Sequence, residues 1–419
     1  MLNITVDASL LGLGVYHRQA RTGVGRVNEQ LVHGLWQAPD VRLSLAAPTH
    51  LAETMRYARQ TFGTGGPTFI NRVGEQRWAG LENTLLSPFR PESLPSKVIR
   101  EGFFRTKKAL GTHEARFSVG QIPRGSVYHS PFYAIPVPIG QDTGIQTVQT
   151  IHDLIPVFHP EWFPDGDDSV KRMIGTLPAD ACVVTVSEAT KQDFCNYTRF
   201  DPARVIPIRL AASKDLFHPV TDDARKRVVR ERLGVGEEPY LLSLATLEPR
   251  KNIDHLIRCF VQLVESRALP NEVKLVLVGT KGWKFDKILA ELARNESIRS
   301  RLVFTGFVPD EDLAPLYAGA LAFVYPSLYE GFGLPPLEAM QCGLPVITSN
   351  VSSLPEVVGD AAIQVAPTDA DALCQAMLTV TQSAALRAEL AAKAVQRAAL
   401  FSWEKFVQEH ITLYQTLTN

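Results

Sequence analysis

A chain of 419 residues exceeds what one hydrophobic core usually supports, so two domains are expected. Its 45% hydrophobic and 21% charged residues are ordinary globular values, and a net charge of −1 argues against a general nucleic-acid binder. No apolar run approaches the roughly 18 residues that cross a bilayer, so no spanning helix is expected.

The first residues, Met1-Leu2-Asn3-Ile4-Thr5-Val6-Asp7, lack the basic segment and apolar core of a secretory signal. In the first half, strands are expected at residues 4–6, 41–47, 127–128, 147–151 and 183–186. Gly23-Val24-Gly25-Arg26 reads as a glycine loop ahead of a helix over 27–36. Between about 63 and 124 the pattern blurs into Gly, Pro and basic residues and supports no assignment. Within it, residues 97–108 concentrate cations and aromatics; a solvated basic helix is the commoner explanation, and contact with anionic lipid headgroups the other. Ser187 reads as the cap of a following helix.

A polar segment with Pro219 and the charged run 222–232 reads as the connection between halves. Beyond it, β and α patterns alternate cleanly. Strands are expected at 240–245, 273–278, 302–305, 321–325 and 345–348, and helices at 252–265, 285–294, 310–320 and after Pro335, with Asp310 as a cap. Short apolar runs alternating with helices imply parallel, doubly wound sheets, whose ligands gather beyond the carboxyl ends of the strands. The helix at 403–417 is amphipathic and long enough to pack on another surface. The cysteines Cys182, Cys195, Cys259, Cys342 and Cys374 are scattered, odd in number and without a C-x-x-C. Neither zinc nor a disulfide framework is indicated, and reduced thiols in a cytoplasmic protein are expected.

The most informative stretch runs from Ser327 to Glu338. It places two carboxylates, Glu330 and Glu338, eight positions apart, around a loop with Gly331 and Gly333. Pro335 and Pro336 then open a helix, in a first turn whose amides are orphaned anyway. Orphan amides and the helix dipole favour an anion, and glycines let the backbone approach it. Amides for a phosphate, with a carboxylate on each side for hydroxyl groups, suit a nucleotide-sugar.

Glu330 through Glu338 resembles the E-x7-E motif of retaining glycosyltransferases of family 4 (GT4), which have the GT-B fold. The resemblance covers about residues 146–365 and is weak before that. It implies an α/β architecture of two Rossmann-like doubly wound domains facing a central cleft. Residues 1–215 would bind the acceptor, 216–401 the nucleotide-sugar, and 402–419 would cross back as a helix to the first domain. It assigns Glu330 to hydroxyls of the transferred sugar, Glu338 to the ribose, and the amides of Phe332, Gly333 and Leu334 to the diphosphate. Arg250 and Lys251, adjacent cations just after a strand, would meet the diphosphate as well. The family often has a further Arg where this chain has Thr246, so that match is incomplete.

By the same resemblance Gly23 and Gly25 approach the donor phosphate, and Arg26 a phosphate or the acceptor. His152 reaches the sugar or acceptor hydroxyl across the cleft, and Gly306 and Val308 line the nucleobase pocket. No D-x-D cluster at a strand end indicates a phosphate-bridging metal, so no metal or other cofactor is expected. The implied reaction moves a hexosyl group from a nucleoside diphosphate to a saccharide or lipid-linked acceptor. The combination around Lys251 and Glu330 resembles bacterial mannosyltransferases of polysaccharide and O-antigen assembly, which points to GDP-mannose. A UDP- or dTDP-sugar, an epimerase on the same fold, and a non-catalytic partner subunit remain the alternatives. Expected partners are the donor and acceptor, no nucleic acid, and, under the lipid reading, the inner membrane surface.

Overall fold

The computed structural model describes residues 1–16, 23–90, 92–111, 115–163, 168–244, 248–270, 272–279 and 296–419. Thr246, the last residue of the strand expected at 240–245, and the helix expected at 285–294 lie outside them. In the first half, β1 (Leu2–Asp7), β2 (Val41–Ala46), β3 (Thr68–Phe69), β4 (Ser126–Ser130), β5 (Ile145–Ile151), β6 (Cys182–Thr185) and β7 (Val205–Pro207) pair in parallel. Their order is β3-β2-β1-β4-β5-β6-β7. The second sheet holds β8 (Tyr240–Leu244), β9 (Lys274–Val278), β10 (Leu302–Gly306), β11 (Ala322–Tyr325), β12 (Val346–Ser349) and β13 (Ala362–Val365). It too is parallel, in the order β10-β9-β8-β11-β12-β13.

Near-continuous apolar runs explain the parallel pairing, because such strands are covered by helices on both faces. In β8 and β11, Tyr240, Leu241, Leu242, Phe323, Val324 and Tyr325 are all fully buried. Both orders reverse direction once, between β1 and β4 and between β8 and β11. Crevices open at the carboxyl ends of the strands at such points. Those ends lead to Asp7 and Ser130 in one sheet, and to Glu248–Lys251 and Ser327–Glu330 in the other.

One expectation is corrected, and two regions gain a definite structure. Gly23 and Gly25 do not form a loop before a helix; the helix Gly23–Gln37 starts at the first of them. Glycine costs little in a first turn whose amides lack intrahelical acceptors. It also permits contact, since a Cβ on Gly23 would sit 3.0 Å from Leu334 Cδ1 of the second half. The charged run at 222–232, between the two halves, forms the helix Asp223–Arg232, capped by Asp222 and anchored by buried Val229. The unassigned region contains β3 and two helices, Val73–Leu86 and Leu94–Ala109.

The last helix, Trp403–Thr418, lies on the first half. It packs against Gly23–Gln37 closely enough that a Cβ on Gly34 would be 2.3 Å from Val407 Cγ2. Tyr414 in this helix hydrogen-bonds His129 of β4 at 2.6 Å.

Candidate functional site

Glu330 lies on the loop that follows β11, and Arg250 and Lys251 on the turn after β8. Strand adjacency brings them together. Lys251 Nζ donates to Glu330 Oε1 at 2.6 Å, and Arg250 Nη1 to Oε2 at 2.8 Å. Tyr325 and Ser327 hydroxyls donate to Oε1 at 2.7 Å each. Arg250 also pairs with Glu248 at 2.8 Å, and Lys251 sits 5.1 Å from the Tyr325 ring centroid. Burial pushes the Glu330 carboxyl up, yet the Lys251 and Arg250 charges and the bonds from Lys251 and Ser327 hold it down at about 2. It is therefore ionised and accepts hydrogen bonds. Burial, reinforced by Arg250, lowers the Lys251 ammonium against the opposing pull of Glu330. Both cations spend bonds on Glu330 rather than standing free, because a buried charge needs a partner.

Glu338, in the helix Leu334–Gln341, is buried too. Arg26 of the first half reaches it across the cleft at 3.1 Å and binds Asp310 at 2.6 Å through its other nitrogen. Asp310 does not cap its helix; Pro309 occupies the cap position and the Asp310 carboxylate turns to Arg26. Tyr317 completes the surroundings of Glu338 with a hydroxyl at 3.5 Å. Burial, aided by the Asp310 charge, pushes the Glu338 carboxyl up to about 7, with Arg26 pulling the other way. A cavity of about 350 Å³ opens here, lined among others by Gly25, Arg26, Leu334, Glu338 and Asp310.

His152, just past β5, donates Nε2–H to the Pro131 carbonyl at 2.8 Å, which leaves Nδ1 as the acceptor nitrogen. Burial lowers its pKa to about 4, so the ring is neutral. Its own carbonyl abuts the Glu330 loop: a Cβ on Gly331 would lie 2.1 Å from His152 O. The next residue, Asp153, feels Arg250, Glu330 and Lys251 electrostatically, although burial dominates and raises its pKa.

The loop between the two glutamates is pinned from behind. The Ser353 hydroxyl shares its one hydrogen between the Glu330 and Phe332 carbonyls, at 2.9 and 2.7 Å, and Ser352 Oγ accepts from Glu330 N at 3.0 Å. Gly333 takes φ +114°, a conformation that side chains rarely adopt, as the helix begins. In the first turn after it Pro335 and Pro336 carry no N–H, and the N–H of Leu334 has no acceptor inside the helix. Phe332 packs its ring on Phe401, so only its backbone is available to a ligand. Val308 is likewise buried in the core, and Gly306 turns the chain after β10 at φ +69°.

The structure thus gathers Arg250, Lys251, Glu330 and Glu338 beside His152, Gly25 and Arg26. It adds residues that the motif did not announce: Tyr325, Ser327, Ser352, Ser353, Tyr317 and Asp310. Asn252 belongs with them, since its side chain ties the turn to the Pro326 and Pro367 carbonyls at 3.0 and 2.7 Å. Its place directly after Lys251 was the one sequence signal for it.

Residues 225–397 match the family model described as glycosyl transferases group 1. The O-antigen chain mannosyltransferase B of Escherichia coli is 35% identical over 299 residues, covering 70% of this chain and 74% of that protein. The chain belongs to the group 1 glycosyltransferases. A second relative of this glycosyltransferase, the serotype-specific mannosyltransferase WbdA of Escherichia coli, is 33% identical over 281 residues, 66% of this chain. The match spans only 34% of WbdA's own length.

Among solved structures, sucrose-phosphate synthase from Thermosynechococcus elongatus superposes with a TM-score of 0.66 at 22% identity, covering 100% of this chain and 99% of that one. Anabaena HepE, in complex with UDP, gives 0.67 at 16% identity, covering 99% and 100%. At these identities the likeness is one of fold. That fold is GT-B, two Rossmann-like domains about a cleft.

Proposed function

We propose that this glycosyltransferase moves a mannosyl group from GDP-mannose to a hydroxyl of a saccharide or lipid-linked saccharide, with retention of configuration. The observation that carries this reading is the buried cluster of Lys251, Arg250 and Glu330 at a switch point, adjoining His152 of the other domain. The sugar follows the names of the two Escherichia coli relatives, both mannosyltransferases.

In this reading the diphosphate draws on Lys251, Arg250 and the amides of Phe332, Gly333 and Leu334. Fixed cations and dipoles aimed at developing charge supply the electrostatic stabilisation that such a leaving group needs. Glu338 exchanges Arg26 for ribose hydroxyls, and Glu330 accepts from a hydroxyl of the sugar. Gly306 and Val308 offer backbone to the base, Gly23 and Gly25 lie beside the donor, and neutral His152 meets the sugar side. The acceptor oxygen replaces the diphosphate oxygen at the anomeric carbon, in a cleft whose closure excludes competing water. No metal is assigned a role.

Calorimetric titration of GDP, UDP, dTDP and ADP into wild type and Lys251→Ala tests the donor site. GDP should bind in the micromolar range and at least about tenfold more weakly to the variant, the loss expected of a charge-assisted bond. Binding of UDP or dTDP in its place would overturn the base while leaving the transferase reading intact. Binding of none would favour a non-catalytic subunit, and turnover of GDP-mannose without any acceptor an epimerase.

A lipid-linked acceptor has its own support. The helices Val73–Leu86 and Leu94–Ala109 expose Trp78, Leu81, Leu85, Leu94, Val98 and Phe104 between cations such as Arg77, Lys97 and Lys108. Such a surface suits anionic headgroups. Co-sedimentation with vesicles containing phosphatidylglycerol should exceed that with phosphatidylcholine alone and fall with salt.

A further inference from the structure

The Glu330 loop is held from the front by the helix Glu188–Thr198 of the first domain. Thr190 Oγ1 donates to the Gly331 carbonyl at 3.1 Å, one residue after Glu330. One turn along, the Asp193 carboxylate accepts from the Tyr329 hydroxyl, one residue before it. The backbone on both sides of Glu330 therefore takes its position from this helix. Seated between those contacts, Gly331 has no room for a side chain against His152.

What holds the helix itself comes from the opposite domain. Ser187 caps it locally by accepting from Thr190 N at 3.0 Å. The first two amides, Glu188 N and Ala189 N, instead donate to the two carboxylate oxygens of Glu356, at 3.0 Å each. Glu356 lies in the second-domain helix Leu354–Val358, shortly after Ser353, which binds the Glu330 carbonyl. A carboxylate at a helix N-terminus gains from both the orphan amides and the dipole. It reaches there from the other side of the cleft.

We propose that Glu356 is a positioning residue for transfer. By clasping Glu188–Thr198 across the cleft, it keeps the domains closed and seats Glu330 against His152. It touches no reacting atom and acts through the helix and the loop. The kinetic consequence rests on the transferase reading; the structural consequence does not.

The test is Glu356→Gln. Glutamine has one carbonyl to accept with, so one amide loses its acceptor and meets an NH2 group instead. GDP affinity, set by the second domain, should stay within about twofold, while kcat falls at least about tenfold with little change in donor KM. The radius of gyration from small-angle scattering should rise without donor. Glu356→Asp, which keeps both acceptor oxygens, should recover part of each effect. Wild-type kcat together with an unchanged radius of gyration in folded Glu356→Gln overturns the proposal. If that variant does not fold, Tyr329→Phe, which removes only the hydroxyl reaching Asp193, takes its place. The same fall in kcat and rise in radius then support the clasp, and wild-type values of both overturn it. Should wild type show no transfer from any donor, scattering alone still decides the clasp.

Discussion

At the scale of residues, two carboxylates eight positions apart are driven in opposite directions by what folding places around them. Glu330 is held at about 2 by its two cations despite burial, while burial pushes Glu338 up to about 7 against a single arginine. Under the proposed function, a ribose hydroxyl would donate to the ionised form of Glu338. Donor affinity should therefore rise as pH increases through about 7 and lose that slope in Glu338→Gln, as titration calorimetry over a pH series would show. The effects on folding have opposite signs. Glu330 contributes stability above its ordinary 4.5 that is lost as pH falls towards about 2. Glu338 contributes below 4.5, and that contribution is lost as pH rises through about 7. The E-x7-E spacing drew attention to both glutamates in the sequence, and the family resemblance to Lys251 and His152. Arg26 as the partner of Glu338 was not, because 312 positions separate them and only packing makes them neighbours.

At the scale of elements, the C-terminal helix shows how a crossing is secured. A small residue, Gly34, lets two helices touch, and Gly34→Leu should overpack that contact. The expected cost is about 1–3 kcal/mol, readable in chemical denaturation. Further along, His129 and His410 stack with ring centroids 5.5 Å apart, beside Tyr414. Burial lowers His410 from 6.5 to about 4, so the native ring is neutral and unfolding takes up a proton below 6.5. Stability from this source is present above 6.5 and lost as pH falls towards about 4. The thermal midpoint of wild type should drop more steeply over that window than that of His410→Phe. The comparison cancels the opposite trend of Glu338. Helix periodicity announced this element, but the histidine pair was invisible, since its members belong to a strand and a helix nearly three hundred positions apart.

At the scale of the molecule, two parallel sheets present their switch points to one cleft, and the candidate site draws residues from both sides of it. If the leaving diphosphate is met by Lys251, Arg250 and the amides of Phe332, Gly333 and Leu334, dialysis against EDTA should leave transferase activity unchanged. A loss restored by a divalent cation would refute that account.

Local patterns alone determined the alternation of strands and helices in the second half, the E-x7-E stretch and the cations at 250–251. Each of these depends on neighbours within a turn or two of chain. Apolar runs, proline and glycine carry that information directly. The tertiary structure decided the rest. The helix starts at Gly23, where Leu334 of the other half comes close enough to leave little room for a side chain. Asp310 gave up a capping role because Arg26 lay within reach. Glu356 became a cap for a helix of the other domain. In each case a polar or small residue answers to a group far along the chain, and burial makes that pairing obligatory. No local pattern records which distant group it will be.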